Sequence, residues 1–453
     1  MSLPTLPRPS RISLLIAGLF VFAWLVRWYY VSQAMVLHPV RGDAVDYFNY
    51  AQNLWRHHVF SKASPDTPMV LGDSFRDPGY PVFLALGMAF FQSWDHWYAA
   101  VLLGQALLGA LTVLLLLVTA RRWLPTPWLG AAGLLMALWP HSVTMTGYLL
   151  TETLFGFLCA LALWLSVLAI ERRSLTLSAG AGIGCALGAL TNATLIPFAP
   201  CLAIYLWLRR LASGRMACAL VLGFAVLYMP WLIRNANLPA AQSSSHDRAL
   251  MNLVQGSWPE YHASYRAALL GDSTAITISS AINSEYALLH DQPREGWHAW
   301  ANRLRSQPWR TLTWYVSKPA LLWGWDIRIG QGDVYVYPTA ASPFHTNLAG
   351  RIVIALCHAM NPWLGLLALI GCIIMLCRPS TLGTEQPLAL LLVMMTAIYT
   401  LLQAEPRYSV PLRGEEMVAA MMGLYGIVSC LSRRKGSGRL SASIAKAVPR
   451  VRS

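Results

Sequence analysis

The sequence predicts an all-α polytopic membrane protein, with about ten transmembrane helices and further amphipathic, interfacial helices on its outer, periplasmic face. Three observations lead there. The 453 residues are 56% hydrophobic and 12% charged, whereas a soluble domain carries about 25% charge. Apolar stretches long enough for a bilayer recur along the whole chain. The basic connections between them alternate as the positive-inside rule requires.

Spans are expected at 12–36, 97–119, 127–148, 150–170, 177–192, 194–208, 216–234, 350–377, 386–404 and 412–432. The first apolar run, Ile12 to Leu37, exceeds a signal-peptide core and lacks a small-residue cleavage site, so it is expected to be retained. Arg121-Arg122, Glu171-Arg172-Arg173, Arg209 to Arg215, Arg378 and Arg433-Arg434-Lys435 then share one side with Arg8 and Arg11. That side is the expected cytoplasmic one, and it absorbs the net charge of +14. The basic excess therefore predicts contact with anionic membrane lipid and no nucleic-acid partner.

Two apolar stretches are excluded from the spans. Residues 79–93 (GYPVFLALGMAFFQS) fall short of the ~20 residues a bilayer needs, and counting them would invert every later connection. They read as an interfacial or re-entrant helix. Residues 309–325 are interrupted by Lys318-Pro319, and their tryptophans suit a helix in the membrane interface.

The chain divides into an N-terminal transmembrane module, 1–234, whose first outer loop, 37–96, is expected to be catalytic. An outer region, 235–349, follows, with an amphipathic helix near 281–306 and Pro308 opening the next. Residues 350–432 supply C-terminal spans, and 433–453 form a basic cytoplasmic tail. The eight cysteines lie in or beside apolar segments and read as small apolar side chains. No P-loop, GxSxG or GxGxxG motif stands in the right context.

Acids at the outer ends of spans are the candidates for chemistry, because an acid beside a low-dielectric region is costly unless paired or used. Asp43 and Asp46 follow the first span in RGDAVDYFNYAQNL and share a helix face with Tyr47, Tyr50 and Leu54. A purely structural role also fits: Asp43 as helix cap, with Asp46 as the acid of a capping box. Glu152, in LTETLF, lies where one span ends outside and the next begins. It too fits a helix start, with a threonine cap and a favourable dipole. Arg76, Arg234, Lys318 and Arg407 are basic residues near the outer boundary. Each fits interfacial snorkelling, and several converging on one cavity would bind phosphate.

Taken in order, GDAVDYFNYAQNL, RDPGYPVFLAL, LTETLFGFLCALALWL, GIGCALGALTNATLIP, PWLIRN and EPRYSVPL resemble a family. The chain is similar to bacterial membrane glycosyltransferases of the GT-C superfamily, in the branch of the protein O-mannosyltransferases and the lipid A aminoarabinose transferase. That resemblance implies a bacterial cytoplasmic membrane and an active site facing the periplasm. It implies a polyprenyl-phosphate-linked sugar as donor, and a protein, lipid A or another glycan as acceptor. By position, Asp43 matches the family's base, Glu152 an acid lining the site, and Arg76 the residue on the lipid phosphate. Asp43-Ala44 stands where the mannosyltransferases have Asp-Glu, and Arg76-Asp77-Pro78 where the aminoarabinose transferase has Lys-Pro. The sugar therefore does not carry over.

Breaking a sugar–phosphate bond builds negative charge on the leaving group, which Arg, Lys or a metal ion stabilises. One carboxylate must take the acceptor's proton. Asp43 and Glu152 are thus the catalytic candidates and the expected ligands of a divalent cation (Mg or Mn). Arg76, Arg407, Tyr47, Tyr408, Arg234, Lys318 and Asp46 are the expected substrate-binding residues. A transporter or lipid-linked-glycan flippase is the main alternative. It would bury ionisable residues near the bilayer midplane, where this sequence shows few. A non-catalytic assembly or polymer-length-control protein is a third, and it would tolerate loss of both acids.

Overall fold

A computed structural model describes residues 10–239, 243–377 and 382–447, with side chains described up to residue 432. Arg8, Arg378 and tail residues 448–453 lie outside this description, as do the side chains of Arg433, Arg434 and Lys435.

Each of the ten expected spans contains an apolar helix. Six helices are long and apolar enough to cross a membrane: Arg11–Gln33, Trp94–Ala120, Glu152–Arg172, Gly214–Ala236, Leu348–Cys377 and Pro406–Ser432. Shorter apolar helices at Thr126–Leu138, Leu175–Thr191, Ala193–Leu208 and Gln386–Leu401 account for the others. The span expected over 127–148 is broken. Its helix stops at Leu138, a short helix restarts at Pro140, and a 3-10 turn covers Met145–Gly147. Proline lacks the N–H that would continue the ladder and clashes with the preceding turn.

Small residues set the helix pairings. A Cβ added at Gly223 would stand 2.2 Å from the Ala179 carbonyl oxygen, and one at Gly371 would stand 2.0 Å from that of Ala419. Helices Gly214–Ala236 and Leu175–Thr191 therefore meet backbone to backbone, as do Leu348–Cys377 and the final helix. Close approach of this kind replaces the hydrophobic driving force that lipid cannot provide. The outer surface stays apolar: Leu14, Val21, Phe22, Trp24, Leu25 and Trp28 of the first helix are all exposed, as a lipid-facing helix requires.

The excluded stretches form helices of their own. Gly79–Phe90 has 12 residues, and Pro308–Leu322 contains Pro319 and has Pro308 in its first turn. The single amphipathic helix expected near 281–306 is instead two, Ser273–Asp291 and Pro293–Ser306, because Pro293 opens a new helix. Two elements pin the first outer loop in place. Met35–Val36 pairs antiparallel with Thr339–Ala340 from the end of the outer region. Beneath the loop, Ala44, Tyr47 and Ala51 pack on Tyr80, Leu84, Trp97, Tyr148 and Tyr337.

Candidate active site

Helix Asp43–His57 presents its first turn to this packed floor. Its N-cap is Gly42, at a φ of 53°, and no side chain caps it. The expected Asp43 cap and capping box are therefore absent, and both carboxylates are free to face outward from the helix. Gly42 is needed for its left-handed backbone, and the Tyr337 ring closes over it.

Asp43 and Asp46 turn toward Arg76. The Arg76 Nη2 donates to Asp43 Oδ1 at 2.8 Å, and its Nε donates to Asp46 Oδ2 at 2.9 Å. The guanidinium lies over the Tyr47 ring, 5.1 Å from its centroid. Asp43 Oδ2 accepts from Arg407 Nη1 at 2.9 Å, and Arg407 Nε donates to Glu152 Oε1. Charges thus alternate along one line: Glu152, Arg407, Asp43, Arg76, Asp46. Burial works to raise the Asp43 pKa, but the Arg407 and Arg76 guanidiniums outweigh it and hold the carboxyl well below the usual carboxylate range. Burial pushes the Tyr47 phenol up.

Glu152 opens its helix, where the dipole favours an acid; the expected threonine cap makes no capping bond. Arg407 sits in the four-residue helix Pro406–Ser409, at the start of the last apolar helical stretch. Tyr408 stacks on Tyr399 with ring centroids 5.3 Å apart and donates to Gln403 at 3.3 Å.

Two expected binding residues belong elsewhere. Arg234 donates to the carbonyls of Asp73, at 2.5 Å, and Phe60, at 3.2 Å, and stacks on Trp231. It braces the first outer loop from below. Lys318 is fully buried and donates to the carbonyls of Gly256, at 2.9 Å, and Leu402. Burial lowers its pKa to about 7.

Arg248 joins the site from the outer region, reaching Asp77 Oδ2 at 2.7 Å and lying within electrostatic reach of Arg76 and Tyr47. Nothing local in the sequence marks it, since its partner is 171 residues away. Arg27, a charge within the first span, is a further addition. Arg27 donates to the carbonyls of Ala23, Met136 and Ala137, where helix Thr126–Leu138 breaks off. With Ser142, Glu152 and Thr153 it lines a cavity of about 40 Å³ beneath the site. A charged residue inside an apolar run was the available signal.

The residues do not fit the expected divalent cation as they are arranged. Arg407 stands between Asp43 and Glu152 and takes the oxygens that would face the ion. Among the described residues no group of three His, Cys, Asp or Glu gathers elsewhere.

The family model for dolichyl-phosphate-mannose-protein mannosyltransferases matches residues 76–233. No curated protein matches the chain. Among solved structures, the oligosaccharyltransferase AglB of Archaeoglobus fulgidus, in complex with an inhibitory peptide and a dolichol-phosphate, is 14% identical with a TM-score of 0.52. That match covers 97% of this chain and 52% of the other. The oligosaccharyltransferase of the same organism with Zn and sulfate gives 13% identity and a TM-score of 0.52, over 94% of this chain and 51% of the other. ArnT from Cupriavidus metallidurans bound to undecaprenyl phosphate is 14% identical, over 96% of this chain and 80% of the other, with a TM-score of 0.38. The chain resembles the GT-C membrane glycosyltransferases, as its motifs imply, and carries their polytopic helical fold. It spans about half the length of the archaeal oligosaccharyltransferases it matches.

Proposed function

We propose that the chain is a glycosyltransferase that moves a sugar from a polyprenyl-phosphate donor to an acceptor at the outer face of a bacterial cytoplasmic membrane. The observation that carries this reading is the alternating line of acids and arginines at one end of the spans, with Asp43 between Arg76 and Arg407. The donor would bring a phosphate to headgroup depth. Arg76 and Arg407 then hold the phosphate and stabilise the charge it gains as the bond to the anomeric carbon breaks. Asp43 takes the proton of the attacking acceptor. Glu152 keeps Arg407 oriented, and Tyr47 does the same for Arg76. A single inverting displacement needs one base and no nucleophilic carboxylate. The dolichol-phosphate bound by the Archaeoglobus relative supports a lipid phosphate as the donor's carrier.

The test is transfer from labelled polyprenyl-phosphate sugars by membranes containing the chain. Asp43→Asn should lower transfer by about two to four orders of magnitude while the protein inserts and folds normally. Near-normal transfer by the folded variant sinks the assignment.

A flippase or transporter is favoured by one observation. Arg413, Glu415 and Glu416 are fully buried just beyond the break Val410–Leu412 in the last span, and among the described residues neither Glu415 oxygen has a hydrogen-bond partner. Such a protein would carry the labelled lipid across a vesicle membrane with its sugar–phosphate bond intact. It would also keep that activity without Asp43.

A further inference from the structure

We propose that Asp43 and Asp46 occupy, in the donor-free protein, the place that the donor's phosphate takes. The phosphate then enters by exchange with them, and Asp43 is released as a base only once the donor is bound. This rests on the reading of Arg76 and Arg407 as the phosphate-binding residues.

The geometry of Asp43 is that of a bridging anion. One of its oxygens accepts from Arg76 at 2.8 Å and the other from Arg407 at 2.9 Å. Two guanidiniums gripping one oxyanion from both sides is the arrangement a phosphate would receive. The grip is incomplete. Among the described residues, Nη1 of Arg76 and Nη2 of Arg407 donate to nothing, so a phosphate with more acceptor oxygens would gain bonds that the carboxylates leave unmade.

Exposure gives the direction of entry. The side chains of Asp43 and Asp46 are 35% and 26% exposed, against 14% for Arg76 and 9% for Arg407. The carboxylates are therefore the more exposed members of the line, and an arriving anion that takes both arginines competes with them for the same guanidiniums. Charge favours displacement. Three carboxylates face two guanidiniums along this line, leaving one negative charge in excess. A phosphodiester added without displacement would meet net repulsion.

The exchange also orders the reaction. A carboxylate held by two arginines is a poor proton acceptor, because its proton-free form is the stabilised one. Donor binding withdraws both arginines from Asp43, so the base is ready when the leaving group is in place and not before. An acceptor arriving first meets an occupied base.

The probe is a short-chain polyprenyl phosphate binding to the full chain in nanodiscs. Asp46→Asn keeps the shape of the side chain and removes one competing charge, so it should bind the lipid about tenfold more tightly than the wild type. Arg76→Gln should bind weakly, and adding Asp46→Asn to it should change nothing. Unchanged or weaker binding by Asp46→Asn, with Arg76 present, overturns the exchange. The wild type gives a second measurement that needs no variant. Adding the lipid should shift the carboxylate bands of the infrared difference spectrum as Asp43 and Asp46 lose their partners. A spectrum unchanged at saturating lipid also overturns it. If Asp46→Asn binds more tightly but the wild type transfers no labelled sugar, the transferase reading falls and the exchange stands. If the wild type transfers sugar and Asp46→Asn leaves affinity unchanged, only the exchange falls.

Discussion

At Arg407 one guanidinium pairs with two carboxylates brought from distant parts of the sequence, 364 and 255 residues away. Breaking a buried pair by removing one partner costs more than the pair contributes, since it strands the other charge. Glu152 is 6% exposed and among the described residues forms no second ion pair, so Arg407→Met should destabilise the protein by about 3–5 kcal/mol. Thermal unfolding in detergent checks this. Adding Glu152→Gln should recover most of the loss, because the stranded charge is gone. A double variant as unstable as the single one would show that Arg407 acts through packing alone. Asp43, Glu152, Arg76 and Arg407 were legible in the sequence, because an ionisable residue beside an apolar run must be paired or used. Which acid meets which arginine was not, since that depends on the packing of four separate segments. The carbonyl partners of Arg234 and Lys318 were illegible for a related reason. A cation at the outer boundary has the same sequence signature whether it faces a phosphate or a backbone carbonyl.

Among the elements, spans were read from length and hydropathy, and their ends from charge. Breaks were harder to read. Pro140 and Pro293 interrupt stretches whose hydropathy or amphipathic pattern runs on unbroken, so the pattern hides the restart. Lys318 shows what ties such pieces together. From helix Pro308–Leu322 it reaches the last carbonyl of helix Ser245–Gly256 and the carbonyl of Leu402, which ends helix Gln386–Leu401. Leu402 is five residues before Arg407, so this knot helps to fix the arginine. Burial lowers the Lys318 pKa to about 7 from 10.5. The folded state therefore binds fewer protons than the unfolded one between those values, and stability from this group rises as pH climbs from about 7 toward 10. Lys318→Met should remove that rise and lower stability by about 1–3 kcal/mol through the carbonyls left without donors. Unfolding measured at several pH values in both proteins separates the two effects; a rise that survives in the variant assigns it to another group.

Over the whole molecule the Asp43–Arg76–Arg407 line and the basic connections lie at opposite ends of the spans. Glu152 opens a helix whose other end carries Glu171, and Glu171 binds Arg122 at 2.5 Å. The Asp43–Arg76–Arg407 line thus lies a full span away from the basic connections. In the orientation proposed above, those connections lie in the cytoplasm, where they would face anionic headgroups, and the site would lie outside. The apolar faces near the site agree with this depth. Trp309, Leu312 and Val316 are exposed along one side of helix Pro308–Leu322, and Val82, Leu86 and Phe90 along helix Gly79–Phe90. Both suit helices lying at the headgroup level and flanking the entry of a lipid donor. Single cysteines test the orientation without any assay of transfer. Leu270, 90% exposed beyond the fully buried Lys318 knot, marks the outer region, and Thr176, also exposed, marks a basic connection. A membrane-impermeant maleimide should label Leu270→Cys in intact cells, and Thr176→Cys only after the membrane is opened. The reverse pattern would place Asp43 and its arginines in the cytoplasm, where a donor displayed at the outer leaflet never reaches them.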